Sequence, residues 1–501
     1  MANKNFLLAT LAGIVFLVFL PSLRCGFVNY DDDKFVLQNS DIQSFDLTKI
    51  FTSHYEGGYQ PISQLSFAID YKIGGLKPWI YHLTNVVLHA LNSVLVCLIL
   101  VAFGLSTITS WLMALLWALH PMRVESVTWI AERKDVLFSF FIFIAILMYF
   151  KQRLILSWGN FVIACLAKHQ AALMGLLLPL FDWYRGENIV KRIRVYLIFV
   201  GTGFLIMAIT ILKAQSGWNN IAMHSLFEKI MLCTHAYVLY VIKTFWPVSL
   251  SILYPYPATS TGALPWTVYL SVGIIIVLKI FLLKNVKQWR WLMFGLMFFG
   301  LALVLPMANI LVGGIFMNDR YTYVASIGIY FIIGICLDKL KGAIKQLAIS
   351  FVIATAFMLA FLSAERMNVW ANGVTLWSDV INQYPYYSRA YDNRANAYLT
   401  VGEDDKAMRD MQQAIQLDPN FFGVYNNRAF LYNKQGKYDL ALADWSKAIA
   451  LNPNYAEAYY NRGLLHYHQG RMAEAKRDLN EAKKLGVNVP QDLLISVGII
   501  N

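Results

Sequence analysis

The chain is dominated by long apolar stretches that carry few or no charges. Of its 501 residues, 58% are hydrophobic and only 14% are charged. Lipid offers the backbone no hydrogen-bond partners, so a chain of this kind can cross a membrane only as helices or as a closed barrel. The length of the stretches favours helices, and we predict about eleven spans. Their approximate bounds are 6–23, 83–103, 107–120, 136–150, 154–167, 171–184, 195–212, 266–284, 291–306, 323–337 and 346–363.

One further apolar helix, at about 226–246, is interrupted by charged and polar residues. These are Glu228, Lys229, His235 and Lys243. Charges are costly inside hydrocarbon, so we predict that this helix lies in the membrane interface or re-enters the membrane.

Basic residues set the predicted orientation. The formal net charge of +12 needs no nucleic-acid partner, because much of the excess lies in short loops at 151–153, 185–194, 284–290 and 339–345. The positive-inside rule makes these loops and the N-terminus cytoplasmic. If 226–246 does not cross, the opposite face holds residues 29–34, the loop at 121–135, Lys168, residues 247–265 and 318–323, and everything after 363. We expect a multi-pass protein of the cytoplasmic (inner) membrane.

Beyond residue 363 the composition becomes that of a soluble protein, and a repeat of about 34 residues begins. Asparagine, glycine and alanine recur in register, and prolines close the first two units. The spacing is typical of tetratricopeptide repeats, which are pairs of antiparallel helices. We predict a membrane domain at 1–363, a half-repeat at 364–387 with its helix from Trp370 to Tyr384, three repeats at 388–421, 422–455 and 456–489, and a tail at 490–501.

Each repeat carries an asparagine at the same helical position, namely Asn393, Asn427 and Asn461. Two interpretations remain open. A line of carboxamides can hold the backbone of an extended acceptor peptide, because each carboxamide both donates and accepts hydrogen bonds. Alternatively, the same asparagines make polar contacts between helices. On either interpretation we expect the repeats to bind protein.

Three adjacent carboxylates, Asp31, Asp32 and Asp33, follow the first apolar segment. They must lie at the membrane surface or in a watered cavity. Repulsion between like charges raises the pKa of a carboxyl group toward the range useful for a general base. An acidic loop or a helix cap would produce the same pattern.

Further charged residues on the predicted outer face are candidates for phosphate binding and for acid–base chemistry. Arg320 and Lys168 lie where a lipid phosphate would be, although Arg320 could also be a snorkelling interfacial side chain. Glu125 is a second acidic candidate. For Glu132 and Arg133, a structural salt bridge and a catalytic role are both open. The candidate phosphate-binding residues are Arg320, Lys168, Arg123 and Arg133.

Several of these segments occur together in an order that resembles one family. The segments are Asn29-Tyr30-Asp31-Asp32, residues 59–66 with Asp70, residues 82–89, residues 120–137, Ala167-Lys168, Asp182-Trp183-Tyr184 and residues 319–328. Followed by tetratricopeptide repeats, they resemble the transmembrane and tetratricopeptide-repeat O-mannosyltransferases, here as a bacterial relative. Asp33 extends the usual acidic pair to three, and His169 departs from the pattern.

The resemblance implies an all-α GT-C fold with an active site at the outer or lumenal face and a polyprenyl-phosphate sugar as donor. It also implies that the essential acid of the first outer loop is Asp31 or Asp32. We therefore expect an inverting glycosyltransferase that acts on Ser or Thr hydroxyls of proteins. Asp31, Asp32 and Glu125 would be its catalytic residues, and the repeats would bind the acceptor protein.

Several alternatives stay open at this stage. The acceptor could be a glycan or a lipid, or the chain could be a membrane-anchored scaffold without activity. A bound divalent cation is compatible with paired carboxylates on two loops, and the spacing of the residues does not decide the matter. The five cysteines are scattered and suggest neither a disulfide framework nor a metal cluster.

Overall fold

A computed structural model describes residues 4–55, 58–213, 225–257, 263–311 and 316–499. The chain divides into two compact units, Met1–Asn372 and Gly373–Asn501. Each unit is described by itself. Both are helical, which confirms the predicted all-α class.

The first half of unit 1 contains several short helices and five longer apolar ones. Its helices are α1 (Lys4–Phe19), α2 (Ser40–Gln43), α3 (Leu47–Thr52), α4 (Pro61–Gly74), α5 (Pro78–Ala102), α6 (Thr107–Ala118), α7 (Val124–Thr128), α8 (Arg133–Phe150) and α9 (Leu154–Ala167). Short 3-10 turns join several of them, including Pro121–Arg123 and Ile130–Glu132.

The second half of unit 1 ends with the longest helix of the chain. Its helices are α10 (Leu177–Arg185), α11 (Ile193–Lys213), α12 (Leu226–Phe245), α13 (Trp266–Lys284), α14 (Arg290–Leu311), α15 (Thr322–Ala325), α16 (Ile327–Lys339) and α17 (Gly342–Val369).

Among the described residues, five helical segments are long and apolar enough to cross a membrane, and a bent pair makes a sixth if it is one span. The five are Lys4–Arg24, Pro78–Ala102, Val190–Leu212, Trp266–Lys284 and Gly342–Val369, and the bent pair is Asp319–Ala325 with Ile327–Lys339. Three shorter apolar helices accompany them. These findings confirm a polytopic membrane unit, and the total of about eleven spans stays a prediction.

Two predicted spans are not single straight helices. The segment predicted at 171–184 begins as a 3-10 helix, His169–Leu176, and continues as α10. The segment predicted at 323–337 is bent by 53°. Beyond this bend α16 packs closely on α14. The two backbones are so close that a Cβ added at Gly328 would lie 2.2 Å from the carbonyl oxygen of Gly295. Apolar composition predicted the positions of both segments but did not predict the breaks within them.

The helix predicted at 226–246 is present as α12 and is continuous. A capping box starts it, in which Ser225 and Glu228 satisfy each other's backbone N–H groups. His235 Nδ1 lies 2.8 Å from Ser271 Oγ on α13, so one polar interruption has an interhelical partner. Whether α12 crosses, re-enters or lies in the interface stays a prediction.

Unit 2 is an array of helix pairs, as predicted. Its helices are α18 (Gly373–Gln383), α19 (Ser388–Thr400), α20 (Asp404–Leu417), α21 (Phe422–Lys434), α22 (Tyr438–Leu451), α23 (Ala456–His468), α24 (Met472–Lys484) and α25 (Gln491–Ser496). The half-repeat helix begins at Gly373, so the predicted start at Trp370 is wrong. Trp370 instead caps the end of α17, where its backbone N–H donates to Met367.

Each repeat of unit 2 is held by small buried residues and one ion pair. Ala407, Ala441 and Ala475 are fully buried where the paired helices touch. An arginine of the first helix binds an aspartate of the second in each repeat, at 2.7 Å for Arg394–Asp410 and Arg428–Asp444 and at 2.6 Å for Arg462–Asp478. The repeated spacing therefore reflects repeated packing and repeated charge pairing.

Candidate active site

The acidic run is anchored by its middle residue. Asp32 is fully buried, and both of its carboxylate oxygens accept backbone hydrogen bonds: Oδ2 from Val28 at 2.9 Å and Oδ1 from Ala131 at 2.8 Å. Burial raises the pKa of Asp32 to about 7, although the two backbone N–H donors act against the rise. Asp32 thus fastens the loop after α1 to the turn at Ile130–Glu132.

Asp31 and Asp33 differ from Asp32, because both are only half-buried. Asp31 also has a backbone φ of 86°, in the left-handed region that residues other than glycine rarely adopt. Such a conformation persists only where the surroundings impose it. The two hydrogen bonds of the neighbouring Asp32 hold this part of the loop in place.

Trp129 is the contact point of the site. The ring of Tyr30 stacks on it at 4.6 Å between centroids, and that of Trp370 stacks at 5.7 Å. The guanidinium of Arg320 lies 5.2 Å from the centre of the same indole. Because Tyr30 precedes Asp31 directly, the acidic loop and Arg320 converge on one aromatic ring.

Arg320 is bound to Glu125. Its Nη1 and its backbone N–H donate to the two oxygens of that carboxylate, the backbone bond at 3.0 Å. Glu125 is 4% exposed. Burial raises the pKa of Glu125 to about 7, and the Arg320 guanidinium limits the rise. The pair joins the turn at Asp319–Tyr321 to α7.

Glu132 is surrounded by cations. Lys168 Nζ donates to Glu132 Oε1, while Lys134 Nζ and Arg320 Nε each lie 3.5 Å from Glu132 Oε2. Lys168 also donates to Asp135 Oδ1 at 2.6 Å. Burial opposes ionisation of Glu132, but the neighbouring cations outweigh it and lower its pKa. A pairing between Glu132 and Arg133, one of the two open interpretations, is therefore wrong.

Arg133 is paired with Asp70 instead. The closest atoms of the two side chains are 2.5 Å apart, and the Arg133 side chain has no exposed surface. Its remaining donors bind Asn85 Oδ1 at 2.8 Å and the carbonyls of Tyr81 and Ser66 at 2.7 and 3.2 Å. Adjacent residues of the chain thus point into different pockets, because the 3-10 turn before α8 separates them. Arg133 therefore joins α4 and α5 to α8.

Arg123 is also buried, with 1% exposure. Its Nη2 donates to Thr322 Oγ1 at 2.5 Å, and its guanidinium lies 5.4 Å from the ring centre of Tyr323. Its Nε and Nη1 make no hydrogen bond among the described residues. Arg123 therefore keeps donor capacity beside the turn that carries Arg320.

Analysis of the sequence assigned no role to Asp70 or Trp129, which hold this site together. Asp70 is a 3% exposed carboxylate in α4, between the exposed Ile69 and the half-buried Tyr71. Asp70 is the single acidic residue of α4, and an isolated acid of this kind was a usable signal for a buried ion pair. Trp129 offered no comparable signal, because its role depends on neighbours from three other segments.

The divalent-cation hypothesis was also compared with the structure. Within the described ranges, no three His, Cys, Asp or Glu side chains are grouped so that they could hold a metal ion. The five cysteines are all free thiols.

In unit 2, two of the three predicted asparagines contact the preceding repeat. Asn427 Nδ2 donates to both oxygens of Asp392, at 2.9 and 3.2 Å, and Asn461 Nδ2 donates to Asn426 Oδ1 at 3.1 Å. These bonds support the inter-helix interpretation for Asn427 and Asn461. A role for Asn393, Asn427 and Asn461 in peptide binding stays a prediction.

The fold and the site together define a multi-pass helical membrane protein with a buried network of acidic and basic side chains, followed by a repeat unit. Family models identify the repeats: three tetratricopeptide-repeat models match residues 388–421, 411–443 and 456–485, and a TPR-repeat model matches 431–470. Unit 2 therefore contains tetratricopeptide repeats, as predicted.

The chain is similar in sequence to protein O-mannosyl-transferases, and this confirms the predicted resemblance. It is 30% identical to TMTC3 of Mus musculus over 43% of this chain and 24% of that relative. It is 34% identical to TMTC3 of Homo sapiens over 30% of this chain and 18% of the relative. A relative from Caenorhabditis elegans is 22% identical over 81% of this chain and 62% of its own length. The chain thus spans about a quarter or less of the mouse and human relatives.

Among solved structures, ArnT from Cupriavidus metallidurans bound to undecaprenyl phosphate aligns with 93% of this chain and 78% of its own. The identity is 13% and the TM-score is 0.38, which is too low to establish a shared fold. The GT-C fold therefore stays a prediction.

Proposed function

We propose that this protein is an inverting membrane glycosyltransferase. It moves a sugar from a polyprenyl-phosphate donor to Ser or Thr hydroxyls of proteins, on the outer face of the cytoplasmic membrane. In this orientation the N-terminus is cytoplasmic and the repeats are extracytoplasmic. The similar proteins are named protein O-mannosyl-transferases, and this chain covers only part of their length.

One observation carries the proposal: the acidic loop and the phosphate-binding candidates meet around Trp129. Tyr30 and Arg320 contact this ring from different segments, and Arg320 lies within 3.5 Å of Glu132, the partner of Lys168. A transferase of this kind needs a base for the acceptor hydroxyl and cations for the departing phosphate in one place. The convergence supports that arrangement.

Asp31 acts as the base in this mechanism. Asp32 is fully buried, whereas Asp31 is half-buried and is therefore more accessible to an acceptor hydroxyl. Asp31 takes the proton of the acceptor hydroxyl, whose oxygen then attacks the anomeric carbon as the bond to phosphate breaks. A positioned base of this type contributes about 10²–10⁴-fold to the rate.

The cations stabilise the leaving phosphate. Arg320 and Lys168 bind its oxygens, and Arg123 supplies further donors from Nε and Nη1, which have no hydrogen bonds among the described residues. Glu125 positions Arg320 through the backbone and side-chain bonds described above. Arg133, also a candidate for the phosphate, here orders the loop through Asp70.

The tetratricopeptide repeats bind the acceptor protein in this proposal. Repeat arrays of this kind use extended surfaces for binding. A divalent cation is not needed for the mechanism, since three basic residues supply the positive charge.

The test is sugar transfer by the purified chain in lipid nanodiscs, with a polyprenyl-phosphate sugar and an envelope protein extract, read by mass spectrometry. We expect Asp31→Asn to lose the contribution of the base, about 10²–10⁴-fold. Asp33→Asn is the matched control, because it removes an adjacent half-buried carboxylate and should leave the rate close to that of the wild type.

The products distinguish the alternatives. Modified Ser and Thr residues support the proposal. Labelled glycan or lipid, with unmodified protein, would assign a different acceptor. Equal activity of well-folded Asp31→Asn and wild type would exclude Asp31 as the base. If no product forms and the repeats alone recruit envelope proteins, the chain is a scaffold.

A further inference from the structure

Two of the cations assigned to the phosphate, Lys168 and Arg320, already contact carboxylates in this structure. Glu132 contacts Lys168, Lys134 and Arg320, and Lys168 also binds Asp135. Glu132 has 1% side-chain exposure and Lys168 has 5%. A phosphate can reach this position only if a carboxylate leaves it.

The space beside the cations leads to the same conclusion. A cleft bordered by Asp135, Gln170 and Arg320 has a volume of about 20 Å³, which is room for about one water molecule. A phosphate group does not fit there without movement. Arg320 Nε points at Glu132 from 3.5 Å and makes no hydrogen bond among the described residues. This donor is available to whichever anion lies between Arg320 and Lys168.

We infer that Glu132 is an internal substitute for the donor phosphate: it holds Lys168 and Arg320 in the free enzyme, yields them to the lipid-linked phosphate, and returns after transfer. This inference rests on the proposed function. Glu132 is a positioning residue in this scheme. It competes with the phosphate for the same cations and takes no part in the bond changes.

Charge conservation favours the exchange. The phosphodiester of a polyprenyl-phosphate sugar carries one negative charge, as does the carboxylate of Glu132. One anion therefore replaces another without leaving a buried cation unpaired, which would be strongly unfavourable. When the sugar–oxygen bond breaks, its electron pair stays on the phosphate, which gains a negative charge. The return of Glu132 then competes directly with the product and promotes its release.

The test measures binding of farnesyl phosphate to the full chain in nanodiscs by calorimetry, independently of catalysis. We expect Glu132→Gln to bind about tenfold more tightly than the wild type, because the competing carboxylate is gone. Lys168→Met should bind about tenfold more weakly. Glu187→Gln, which removes an exposed carboxylate, should bind as the wild type does. Farnesol, which lacks the phosphate, should show no difference among the variants.

Equal or weaker binding by folded Glu132→Gln would overturn the inference and make Glu132 a structural partner of Lys168. If this variant does not fold, Glu132→Asp serves instead, since it keeps the charge and shortens its reach, and it should also bind more tightly than the wild type. Sugar transfer by the wild type without tighter binding by either variant would sink the inference and leave the proposed function intact. Tighter binding without any sugar transfer would support the competition between Glu132 and a phosphate for these cations and would contradict the proposed transferase function.

Discussion

Arg320 donates to Glu125 from both its backbone N–H and its guanidinium, across 195 residues of sequence. Two bonds from one residue to both oxygens of a carboxylate hold the turn at Asp319–Tyr321 and helix α7 in one orientation. Trp129 and Glu132 contact the same guanidinium from the other side. The side chain is therefore held by its partners, as a site for a departing phosphate requires.

Replacement of Arg320 by Lys should reduce sugar transfer although the charge is kept. Lysine has a single ammonium group and cannot bind Glu125 and face Trp129 with a planar fork. We expect single-turnover rates to fall about 10²-fold. Arg194→Lys, at an exposed position, is the control and should not change the rate. An unchanged rate in Arg320→Lys would contradict the phosphate role.

Loss of the Asp70 carboxylate should destabilise the fold without changing the activity of the molecules that remain folded. Asp70→Asn leaves the Arg133 guanidinium, with 0% side-chain exposure, without a counter-charge. Removal of one partner of a buried pair costs about 3–5 kcal/mol. Thermal unfolding in detergent should show the loss, and the activity of each remaining folded molecule should stay near normal.

An exposed pair provides the comparison for Asp70. Glu403 and Lys406 are 3.3 Å apart with 50% and 46% side-chain exposure. Glu403→Gln should cost less than about 1 kcal/mol, because solvent screens such pairs. Similar losses for Asp70→Asn and Glu403→Gln would mean that the Arg133–Asp70 pair is not the structural joint described here.

Asp392 should make the repeat unit less stable as the pH rises. Burial raises the pKa of Asp392 to about 6, and the hydrogen bond from Asn427 only partly offsets this. Between an ordinary carboxyl pKa of 3.8 and about 6, the folded state holds a proton that the unfolded state releases. The free energy of unfolding therefore falls as the pH rises through this window and stays reduced above it.

Asp392→Asn should remove that dependence. The next repeat already has Asn426 at the equivalent position, where it accepts from Asn461 as Asp392 accepts from Asn427. We expect the variant to be more stable by about 2 kcal/mol at pH 8 and nearly unchanged at pH 4. Urea unfolding of residues 373–501 at the two pH values measures the difference. Parallel pH profiles for variant and wild type would disprove the assignment.

The two bonded asparagines should contribute unequally to stability. Asn427 donates to a carboxylate and Asn461 to a neutral amide. Hydrogen bonds to charged groups contribute about 1.5–3 kcal/mol and neutral ones about 0.5–1.5 kcal/mol. Asn427→Ala should therefore lower the unfolding free energy more than Asn461→Ala when urea unfolding is measured at pH 8, where Asp392 is ionised.

The same two variants also separate the open interpretations of the asparagines. If the carboxamides serve only as contacts between repeats, a variant should change the KM for the acceptor protein only to the extent that it unfolds the repeats. A variant that stays fully folded should then have the KM of the wild type. A raised KM in a fully folded variant would instead support peptide binding by the asparagines.

The sequence singled out charged residues that contact one another in the structure, but it did not predict which residues pair. Glu125, Glu132, Lys168 and Arg320 were singled out because a charge beside an apolar segment demands an explanation. Their pairing was not predictable in the same way. Glu132 and Arg133 are neighbours in the chain and were considered as a pair, yet the backbone turns between them and each binds a distant segment.

The sequence also could not distinguish the roles of adjacent residues within the acidic run. Asp31, Asp32 and Asp33 are chemically identical, and spacing alone left the first two equivalent as candidate bases. Their difference comes from Val28 and Ala131, whose N–H groups bind Asp32 and leave Asp31 as the half-buried candidate. The N–H of Ala131 comes from a turn 99 residues away.

By itself, the sequence determined the helical class, the membrane-embedded first part and the register of the repeats. These depend on apolar length and on periodic spacing, which neighbouring residues specify locally. Only the tertiary structure decided which carboxylate anchors the first loop, which cations share Glu132, and where Trp129 makes its contacts. Those relations join segments from far-apart parts of the chain, and such contacts are selected by how the helices pack.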